Sequence, residues 1–180
     1  MQKPLSKYTI KVPTKIYLRK YVTAKYGHPL PLNYNSTLGT LIICLLDKSP
    51  FSINMNKEKK DVRLSYMNDV IECTAAATQM RYKNYSLDDD KIIAINRFIE
   101  NEFVDELYGW CVDKIEKRLW RPGIDKAINS FADNYGIVVD IDITFDALKK
   151  AEYRHRKRKE KIFQTVVHLP NRPSSMLVWC

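Results

Sequence analysis

The chain has 180 residues and a formal net charge of +9, with 45% hydrophobic and 28% charged residues. This composition provides enough apolar material for a packed core and excludes a largely disordered chain. No apolar run approaches the ~18 residues that a membrane-spanning helix requires, so we expect no transmembrane segment. The excess of basic residues favours an anionic partner, such as a nucleic acid or an acidic membrane surface.

Hydrophobic periodicity and capping residues predict two strands and two helices in the first half of the chain. Pro13 ends an alternating strand pattern, and Thr14 follows as a helix cap. Gly27 closes this helix, because glycine readily adopts a positive φ. The predicted elements are a strand at 8–12, a helix from 14 to about 26, a helix from Ser36 or Thr37 to Asp47, and a strand within 60–70. Residues 73–85 are compatible with either helix or strand.

Three helices are predicted in the second half. Ser86 begins a stretch that resembles a capping box, and apolar residues then recur at spacings of three and four. Gly109 is a candidate bend or break in this pattern. The predicted elements are a helix from Ser86 to about Arg121, a helix at 124–135 closed by Gly136, a helix at 145–163 capped by Thr144, and a short strand at 165–168.

These elements indicate an α+β fold that is mainly helical, in which a small sheet packs on four to five helices. We expect residues 1–123 to form a mainly helical α+β core and residues 124–163 to form a basic, helix-turn-helix-like subdomain. Residues 164–180 form a C-terminal tail in this interpretation. The connection 137–144 is longer than the three or four residues of a compact helix-turn-helix, so a variant with a longer turn is needed.

Cysteines and histidines are too scattered to form a zinc site. The four cysteines include no C-x-x-C pair, and the three histidines lie far apart in the sequence. Cys44 and Cys111 fall within apolar helical patterns, where a reduced thiol acts as a small hydrophobic group. The first residues also lack an apolar stretch of signal-peptide length. We therefore expect no metal, no cofactor and a location in the reducing cytoplasm.

Positive charge is concentrated in residues 149–161. Eight Lys or Arg and two Glu give this segment a charge of +6, which is two-thirds of the net charge of +9. A basic helix attracts phosphate groups, since each neutralised phosphate releases a condensed counterion. The alternative is a solvated basic helix with no specific partner. The predicted nucleic-acid-binding residues are Lys149, Lys150, Tyr153, Arg154, Arg156, Lys157, Arg158, Lys159 and Lys161.

The basic helix has a candidate inward face and a candidate outward face. Arg154 and Arg158 are four residues apart and share the outward face, with Lys150 one turn earlier. In a helix-turn-helix interpretation, the preceding helix packs on the core and the basic helix contacts bases and phosphates of duplex DNA. The residues expected to face the core are Phe145, Leu148 and Ala151, with His155 and Ile162 further along the same side.

Single-stranded nucleic acid or RNA is a second interpretation. Tyrosines in the N-terminal region could stack on unpaired bases, because every base presents a flat π-face. Amphipathic packing at the edge of the core is the other role open to each of them. The tyrosines in question are Tyr8, Tyr17, Tyr21, Tyr26 and Tyr34.

Residues 137–144 also resemble the nucleophile motif of the haloacid-dehalogenase-like phosphatases, an apolar strand followed by Asp-x-Asp-x-Thr. This resemblance implies Asp140 as the phosphorylated nucleophile and Asp142 as the acid/base, both beside Mg²⁺. Only 36 residues follow Thr144, too few for the sheet that carries the later motifs of that family. We therefore expect Asp140, Asp142 and Asp146 to stabilise a turn and a helix N-terminus, and we expect no catalytic residue.

Three stretches of the chain resemble small basic proteins carried by bacterial phages and integrated mobile elements. They are Lys20 to Gly27 with Leu38-Gly39, Asn96 to Phe103, and Asn134 to Gly136 leading into the basic helix. The resemblance spans most of the chain. It implies a DNA-associated role in a bacterial host cell and transfers no catalytic residues.

The sequence therefore predicts a non-enzymatic, nucleic-acid-binding accessory or regulatory protein of a phage or mobile element. Duplex DNA is the expected partner ahead of RNA, and no membrane is expected. The alternative is a phage structural or assembly protein whose basic helix contacts packaged genome or an acidic partner. In that case the virion is the expected location. A homo-oligomer and a second phage protein both stay open as partners.

Overall fold

The computed structural model describes residues 7–46, 62–76, 87–116 and 123–167. These residues form five α-helices, three β-strands and one short 3₁₀ helix, Val62–Tyr66. The strands are β1 (Lys7–Thr14), β2 (Leu30–Pro31) and β3 (Asp69–Ala76). The helices are α1 (Ile16–Tyr26), α2 (Thr37–Leu45), α3 (Asp89–Glu116), α4 (Ile124–Asn134) and α5 (Phe145–Val167).

β3 is the central strand of a sheet with the order β1-β3-β2. β1 runs antiparallel to β3, and β2 runs parallel to it. Alternate side chains of a strand point to one face, so inward residues form cross-strand pairs. Ile10 lies opposite Cys73 and Val12 lies opposite Ile71, and all four are buried. This pairing determines the register, since a slip of one residue would turn the apolar side chains to solvent.

The junction between β1 and α1 differs from the sequence prediction. Pro13 and Thr14 belong to β1, and Pro13 is tolerated there because β1 is an edge strand. Lys15, not Thr14, is the N-cap residue of α1. The Thr14 side chain is fully buried and donates a hydrogen bond to Asn96 Oδ1 at 2.6 Å. Thr14 therefore links the sheet to α3 instead of capping α1.

The strand predicted within 60–70 is wrong for most of its length. Val62–Tyr66 forms the 3₁₀ helix, and β3 begins only at Asp69. Asp69 pairs with Thr14, the last residue of β1, so the residues before Asp69 have no neighbouring strand to pair with. Alternating polarity alone does not make a strand when a pairing partner is missing.

Two predictions in the second half of the chain are also wrong: a bend at Gly109 and a strand at 165–168. Gly109 does not interrupt α3, which is continuous over 28 residues. A single exposed glycine costs a helix only about 1 kcal/mol relative to alanine, and burial of the flanking turns offsets that cost. Residues 165–167 extend α5 and form no strand, because adding residues to an existing helix is easier than nucleating a new element. Residues 77–86, 117–122 and 168, where other parts of these predictions fall, lie outside the described residues.

The remaining predicted helices in the described ranges are confirmed. Ser36 is the N-cap of α2, and its Oγ accepts a hydrogen bond from the Gly39 amide at 3.0 Å. Gly27 and Gly136 follow α1 and α4 with φ values of +87° and +62°. Glycine favours this left-handed region, since it has no Cβ to clash with the backbone. The start of α2 and the ends of α1 and α4 were thus readable from their capping residues.

An apolar stripe along α3 forms the centre of the hydrophobic core. Phe103 contacts the rings of Tyr17, Tyr21 and Phe131, each with centroids 5.3 Å apart. Edge-to-face ring pairs of this kind add roughly 0.5–1.5 kcal/mol each to the free energy of burial. Phe103 therefore joins α1 to α4 across α3. The buried residues of the stripe are Ile92, Ile95, Ile99, Phe103, Leu107 and Cys111.

A polar cluster at Glu106 joins the same three helices near the surface. The Tyr21 hydroxyl and the Lys25 ammonium of α1 donate to Glu106 Oε2, and the Tyr135 hydroxyl after α4 donates to Oε1. Burial by itself raises the pKa of Glu106, but hydrogen bonds from Lys25, Tyr135 and Tyr21 outweigh it and lower that pKa below its usual value. Ionised Glu106 therefore stabilises the arrangement of α1, α3 and α4.

The expected fold class is confirmed: the described residues form a mainly helical α+β fold with a small sheet and five helices. The division of the chain at residue 123 stays a prediction. Buried residues on both sides of it, including Phe103, Phe131 and Leu148, belong to one hydrophobic cluster. Among the described residues, none of the helices combines the length and apolar character needed to cross a bilayer.

We expect Glu106→Gln to lower the free energy of unfolding at neutral pH, because glutamine is uncharged and presents only one acceptor oxygen to three donors. The folded-state pKa of Glu106 lies below its usual value of 4.5. The stabilisation is therefore present above about pH 4.5 and is lost as the pH falls through the depressed pKa. Denaturant unfolding at a series of pH values from about 7 down to about 3 measures this difference.

Asp133→Asn is the matched control, because it removes the same charge from an exposed position on α4. Its unfolding free energy should stay close to that of the wild type across the series. A gap between the wild type and Glu106→Gln that does not narrow in acid would contradict this account of Glu106.

Candidate nucleic-acid interface

A tight turn at 137–144 leads from α4 into the basic helix α5. Asp140 has a φ of +67°, a conformation that aspartate tolerates better than most residues. Its Oδ1 accepts a hydrogen bond from the Phe145 amide at 3.0 Å, and Thr144 Oγ1 accepts from the Ala147 amide at 3.3 Å. Both contacts satisfy amides that the first turn of a helix leaves unpaired. The predicted capping role of Thr144 is confirmed, and Asp140 shares it.

Asp142 fixes this turn to the rest of the domain. Its Oδ2 accepts hydrogen bonds from the Val138 amide at 2.7 Å and from the Lys20 ammonium of α1. Burial by itself raises the pKa of Asp142, but these hydrogen bonds and the nearby charges of Lys20 and Arg19 lower it. Both aspartates of the phosphatase-like motif are therefore engaged in stabilising the turn, in agreement with the role we expected for them.

The inward face of α5 begins as predicted and then becomes polar. Leu148 is fully buried, Phe145 and Ala151 are half-buried, and His155 is 7% exposed. The expectation for Ile162 is wrong, since its side chain is 55% exposed. No described part of the domain covers that end of the helix. α5 is therefore anchored mainly through its first three turns.

Glu152 is a buried residue that the sequence prediction missed. It is 2% exposed, and Oε2 has no hydrogen-bond partner among the described residues. Burial raises the pKa of Glu152, the Arg156 charge partly offsets this, and Glu160 adds to it. Glu152 lies four residues after Leu148, so helical periodicity alone places it on the inward face. The sequence prediction missed this position because Glu152 lies in a highly charged segment, where a further charged residue is expected to be exposed.

His155 lies beside Asp105 of α3. His155 Nε2 is 2.9 Å from Asp105 Oδ1, and it forms no hydrogen bond among the described residues. The His155 ring also lies 5.2 Å from the Tyr108 ring. Burial lowers the pKa of His155, the Asp105 charge partly offsets this, and Lys159 and Arg158 lower it further. His155 is therefore held in its neutral form more than an exposed histidine would be.

Four cations of the predicted site form a row along the outward face of α5. They recur at spacings of four, three and four residues, so their side chains lie on one side of the helix. All four are exposed, and Tyr153 lies beside them with 51% of its surface exposed. The row spans about 16 Å along the helix axis. Its members are Lys150, Arg154, Lys157 and Lys161.

The other predicted cations are placed differently. Lys149 Nζ lies 2.9 Å from Asp125 of α4, and Lys159 Nζ lies 3.6 Å from Asp105 of α3. Arg156 Nε lies 3.6 Å from the buried Glu152. These contacts direct the three side chains back toward the domain. The predicted cations therefore fall into two groups: the outward row, and three residues that also interact with the domain, Lys149, Arg156 and Lys159. Arg158 belongs to neither group and is exposed beside the outward row.

The described side chains in the C-terminal half of α5 are exposed to solvent. From Lys157 to Gln164, every side chain whose burial is described is exposed, including Lys159 and Ile162 on the Leu148 side. A helix packed along its whole length offers only one face to a partner. Apart from the contact of Lys159 with Asp105, the described side chains of this half are accessible around the helix, which is the geometry needed to enter a groove about 12 Å wide, such as the major groove of DNA.

The N-terminal tyrosines give little support to base stacking. Tyr17 and Tyr21 are buried, and their hydroxyls donate to Glu100 and Glu106. Burial, together with these carboxylates, raises the pKa of both phenols above the usual value. Tyr8 and Tyr26 are half-buried, and Tyr34 is exposed. Packing is therefore the role of most of this set.

No cluster of three or more metal-ligating side chains occurs in the part of the chain that the structure describes. A groove of about 410 Å³ lies between α1, the 3₁₀ helix and α3. It is lined by Leu18, Met67 and Tyr66 and by the ion pair of Lys15 with Glu100, whose Nζ and Oε1 atoms are 3.0 Å apart. This groove does not adjoin the basic row on α5.

Comparisons with known proteins identify no relative: no family model matches the chain, and neither curated proteins nor solved structures show significant similarity to it. The resemblance to small basic phage proteins therefore stays a prediction. The geometry of the residues themselves carries the functional argument.

We expect Leu148→Ala to destabilise the fold by about 2–5 kcal/mol, the usual cost of removing a buried leucine side chain. The melting temperature should fall, and α5 should lose its attachment to α3 and α4. Thermal unfolding followed by circular dichroism measures the change.

Lys150→Ala is the control, because it truncates an exposed side chain two residues away. It should change stability by less than ~1 kcal/mol. Small and equal effects of the two substitutions would show that α5 is not anchored by its inward face.

Proposed function

We infer that this protein is a non-enzymatic, DNA-binding accessory or regulatory protein of a phage or mobile element, and that α5 binds duplex DNA. The observation that carries this proposal is the exposed row of Lys150, Arg154, Lys157 and Lys161 on a helix whose described side chains from Lys157 onward are all exposed. Phosphates attract such a row, because neutralising them releases counterions. The cytoplasm of a bacterial host is the corresponding location.

The placement of the acidic residues supports the same function. Glu100, Glu102 and Glu106 on α3 accept hydrogen bonds from tyrosines or lysines of α1. Their charges are therefore partly neutralised within the domain. The four cations of the outward row on α5 are exposed, so a polyanion can approach them, and Lys157 Nζ also lies 2.9 Å from Glu160 of the same helix. Segregation of charge in this way raises both the affinity for an anionic surface and the rate of encounter with it.

Duplex DNA is favoured over single strands by the shape of the site. The exposed end of α5 offers cations around its circumference, which suits a groove with phosphates on both walls. Single-strand binding relies on several aromatic side chains along a basic path. Among the described side chains of α5, Tyr153 is the one exposed aromatic residue. Shape and aromatic content therefore both point to a duplex.

A second candidate function is a structural or assembly protein of the phage particle. The observation that favours it is the exposed apolar pair Val138 and Ile141, which are 46% and 79% exposed on the turn before α5. Apolar side chains held in a rigid exposed turn are typical of protein contacts. Mass spectrometry of purified particles separates the two: abundant recovery of the protein from virions favours assembly, and recovery only from infected cells favours regulation.

The expected binding is strongly dependent on salt. With about six phosphate contacts, the slope of log affinity against log salt should be near −5 for a duplex. Replacing Lys150, Arg154 and Arg158 with alanine should flatten that slope by roughly two to three units, about one for each lost contact. Fluorescence anisotropy on duplex DNA, single-stranded DNA and RNA at several salt concentrations measures the slope and the preference.

A triple variant with Lys11, Arg97 and Lys126 replaced by alanine is the matched control. These cations are exposed on β1, α3 and α4, so the net charge falls by the same amount outside α5. The control should keep most of the slope of the wild type. Equal losses in both variants would mean that binding depends on net charge and not on α5. Absence of any binding by the wild type at low salt would refute the proposal.

A further inference from the structure

Arg156 occupies a position between the buried and the exposed sides of α5. Its Nε lies 3.6 Å from Glu152 Oε1, too far for a hydrogen bond, and has no other hydrogen-bond partner among the described residues. Its Cζ lies 5.7 Å from the centroid of the Tyr153 ring, within the range of a cation–π interaction. The guanidinium is therefore held by a buried carboxylate on one side and by an exposed aromatic ring on the other.

The ion pair between Arg156 and Glu152 is incomplete. Glu152 is 2% exposed, while the Arg156 side chain is 43% exposed. Glu152 Oε2 also has no hydrogen-bond partner among the described residues. A buried carboxylate stays ionised only when a counter-charge and hydrogen bonds replace the water it has lost. Because Arg156 supplies most of that compensation, moving its guanidinium would favour the protonated form of Glu152.

The other ionisable groups near this pair come from α3 and from α5 itself. The thiol of Cys111 on α3 faces Glu152 and Arg156, and burial raises its pKa to about 12, so it stays protonated. Glu160 on α5 lies close enough to raise the pKa of Glu152. Asp105 of α3 contacts His155 and Lys159, and Asp125 of α4 contacts Lys149. Among the described residues, Arg156 is thus the cation that stabilises ionised Glu152.

We propose that Glu152 is a positioning residue that holds Arg156 against α5, and that an anionic ligand on α5 draws Arg156 outward while Glu152 takes up a proton from solvent. This inference rests on the proposed nucleic-acid-binding function and adds its regulation by pH. A phosphate offers the guanidinium two well-placed acceptor oxygens, whereas Glu152 offers contacts without good hydrogen-bond geometry. Bound phosphate and ionised Glu152 therefore compete for Arg156.

Linkage makes the coupling reciprocal. If binding raises the pKa of Glu152, protonation of Glu152 must strengthen binding by the same factor. Affinity for duplex DNA should therefore increase as the pH falls through the raised pKa of Glu152. The buried carboxyl then acts as a sensor beneath a surface that is otherwise insensitive to mild acid, because Lys and Arg stay charged throughout.

The experiment measures the affinity of the full chain for a fixed DNA duplex by fluorescence anisotropy between about pH 4.5 and pH 8, because the pKa of Glu152 is raised from its usual value of 4.5. Wild-type affinity should rise as the pH falls. Glu152→Gln resembles the protonated carboxyl in shape and charge, so it should bind about two- to fivefold more tightly at pH 8, as for a gained surface ionic contact. Its affinity should be nearly constant with pH, and its salt slope should steepen by about one unit.

Two matched variants separate this mechanism from simpler ones. Asp146→Asn removes the same charge from an exposed position in the first turn of α5, and it should keep the pH dependence of the wild type. His155→Asn removes the other buried group on α5 whose charge changes near this range, and it should also keep that dependence. Loss of the pH dependence in either control would overturn the role of Glu152.

A double-mutant cycle tests the role of Arg156 directly. In an Arg156→Ala background, Glu152→Gln should give no more affinity than Asp146→Asn gives in the wild type, and the pH dependence should be absent. Additive effects of Glu152→Gln and Arg156→Ala would refute the competition. Circular dichroism of each variant checks that α5 is still folded.

The outcomes distinguish failure of the inference from failure of the function. A wild type that binds the duplex with a steep salt slope but shows the same affinity at every pH would overturn the inference alone. A wild type that binds no nucleic acid at low salt would overturn the proposed function. In that case, the pKa of Glu152 measured by carboxyl NMR with added inorganic phosphate still tests the coupling: a rise supports it, and no change refutes it.

Discussion

Burial of the apolar stripe of α3 is the interaction on which the other elements depend. Asn96 of α3 contacts the sheet through Thr14, and Phe103 packs between rings from α1 and α4. Further along, Asp105 and Tyr108 contact His155 of α5. Each partner element is short or has one polar face, so none could bury its apolar side alone. The position of α5, and hence of the basic row, follows from this central packing.

Packing against α3 also determines which charged side chains are paired within the domain and which are exposed. Glu100 and Glu106 of α3 accept hydrogen bonds from tyrosines and lysines of α1. In α5 the division is made by helical geometry: Lys149 and Lys159 contact acidic residues of the domain, while the row on the opposite face points to solvent. A predominantly basic segment thus becomes a helix with one side attached to the domain and one side available to an anion. Arg156 lies at the boundary between them.

Much of the fold could be predicted from the sequence because helix signals are local. Ser36, Gly27 and Gly136 mark helix ends through backbone conformations and hydrogen bonds within a few residues. The strand within 60–70 was misplaced because a strand needs a partner from a distant part of the chain. The pairing of β1 with β3 ends where Thr14 lies opposite Asp69, so residues before Asp69 do not pair with β1. The sequence located the candidate site as the basic segment 149–161. Its division into an outward row and inward contacts depends on where α3 and α4 lie.

The sequence by itself determined a mainly helical α+β chain with its positive charge in one helix, since composition, periodicity and capping are properties of neighbouring residues. Only the tertiary structure decided which of those cations face solvent and that Glu152 is buried beneath Arg156. The physical reason is that burial and the pKa values that follow from it depend on side chains brought together from distant parts of the chain. Cys111 and Glu152, 41 positions apart, become neighbours only when α5 packs on α3.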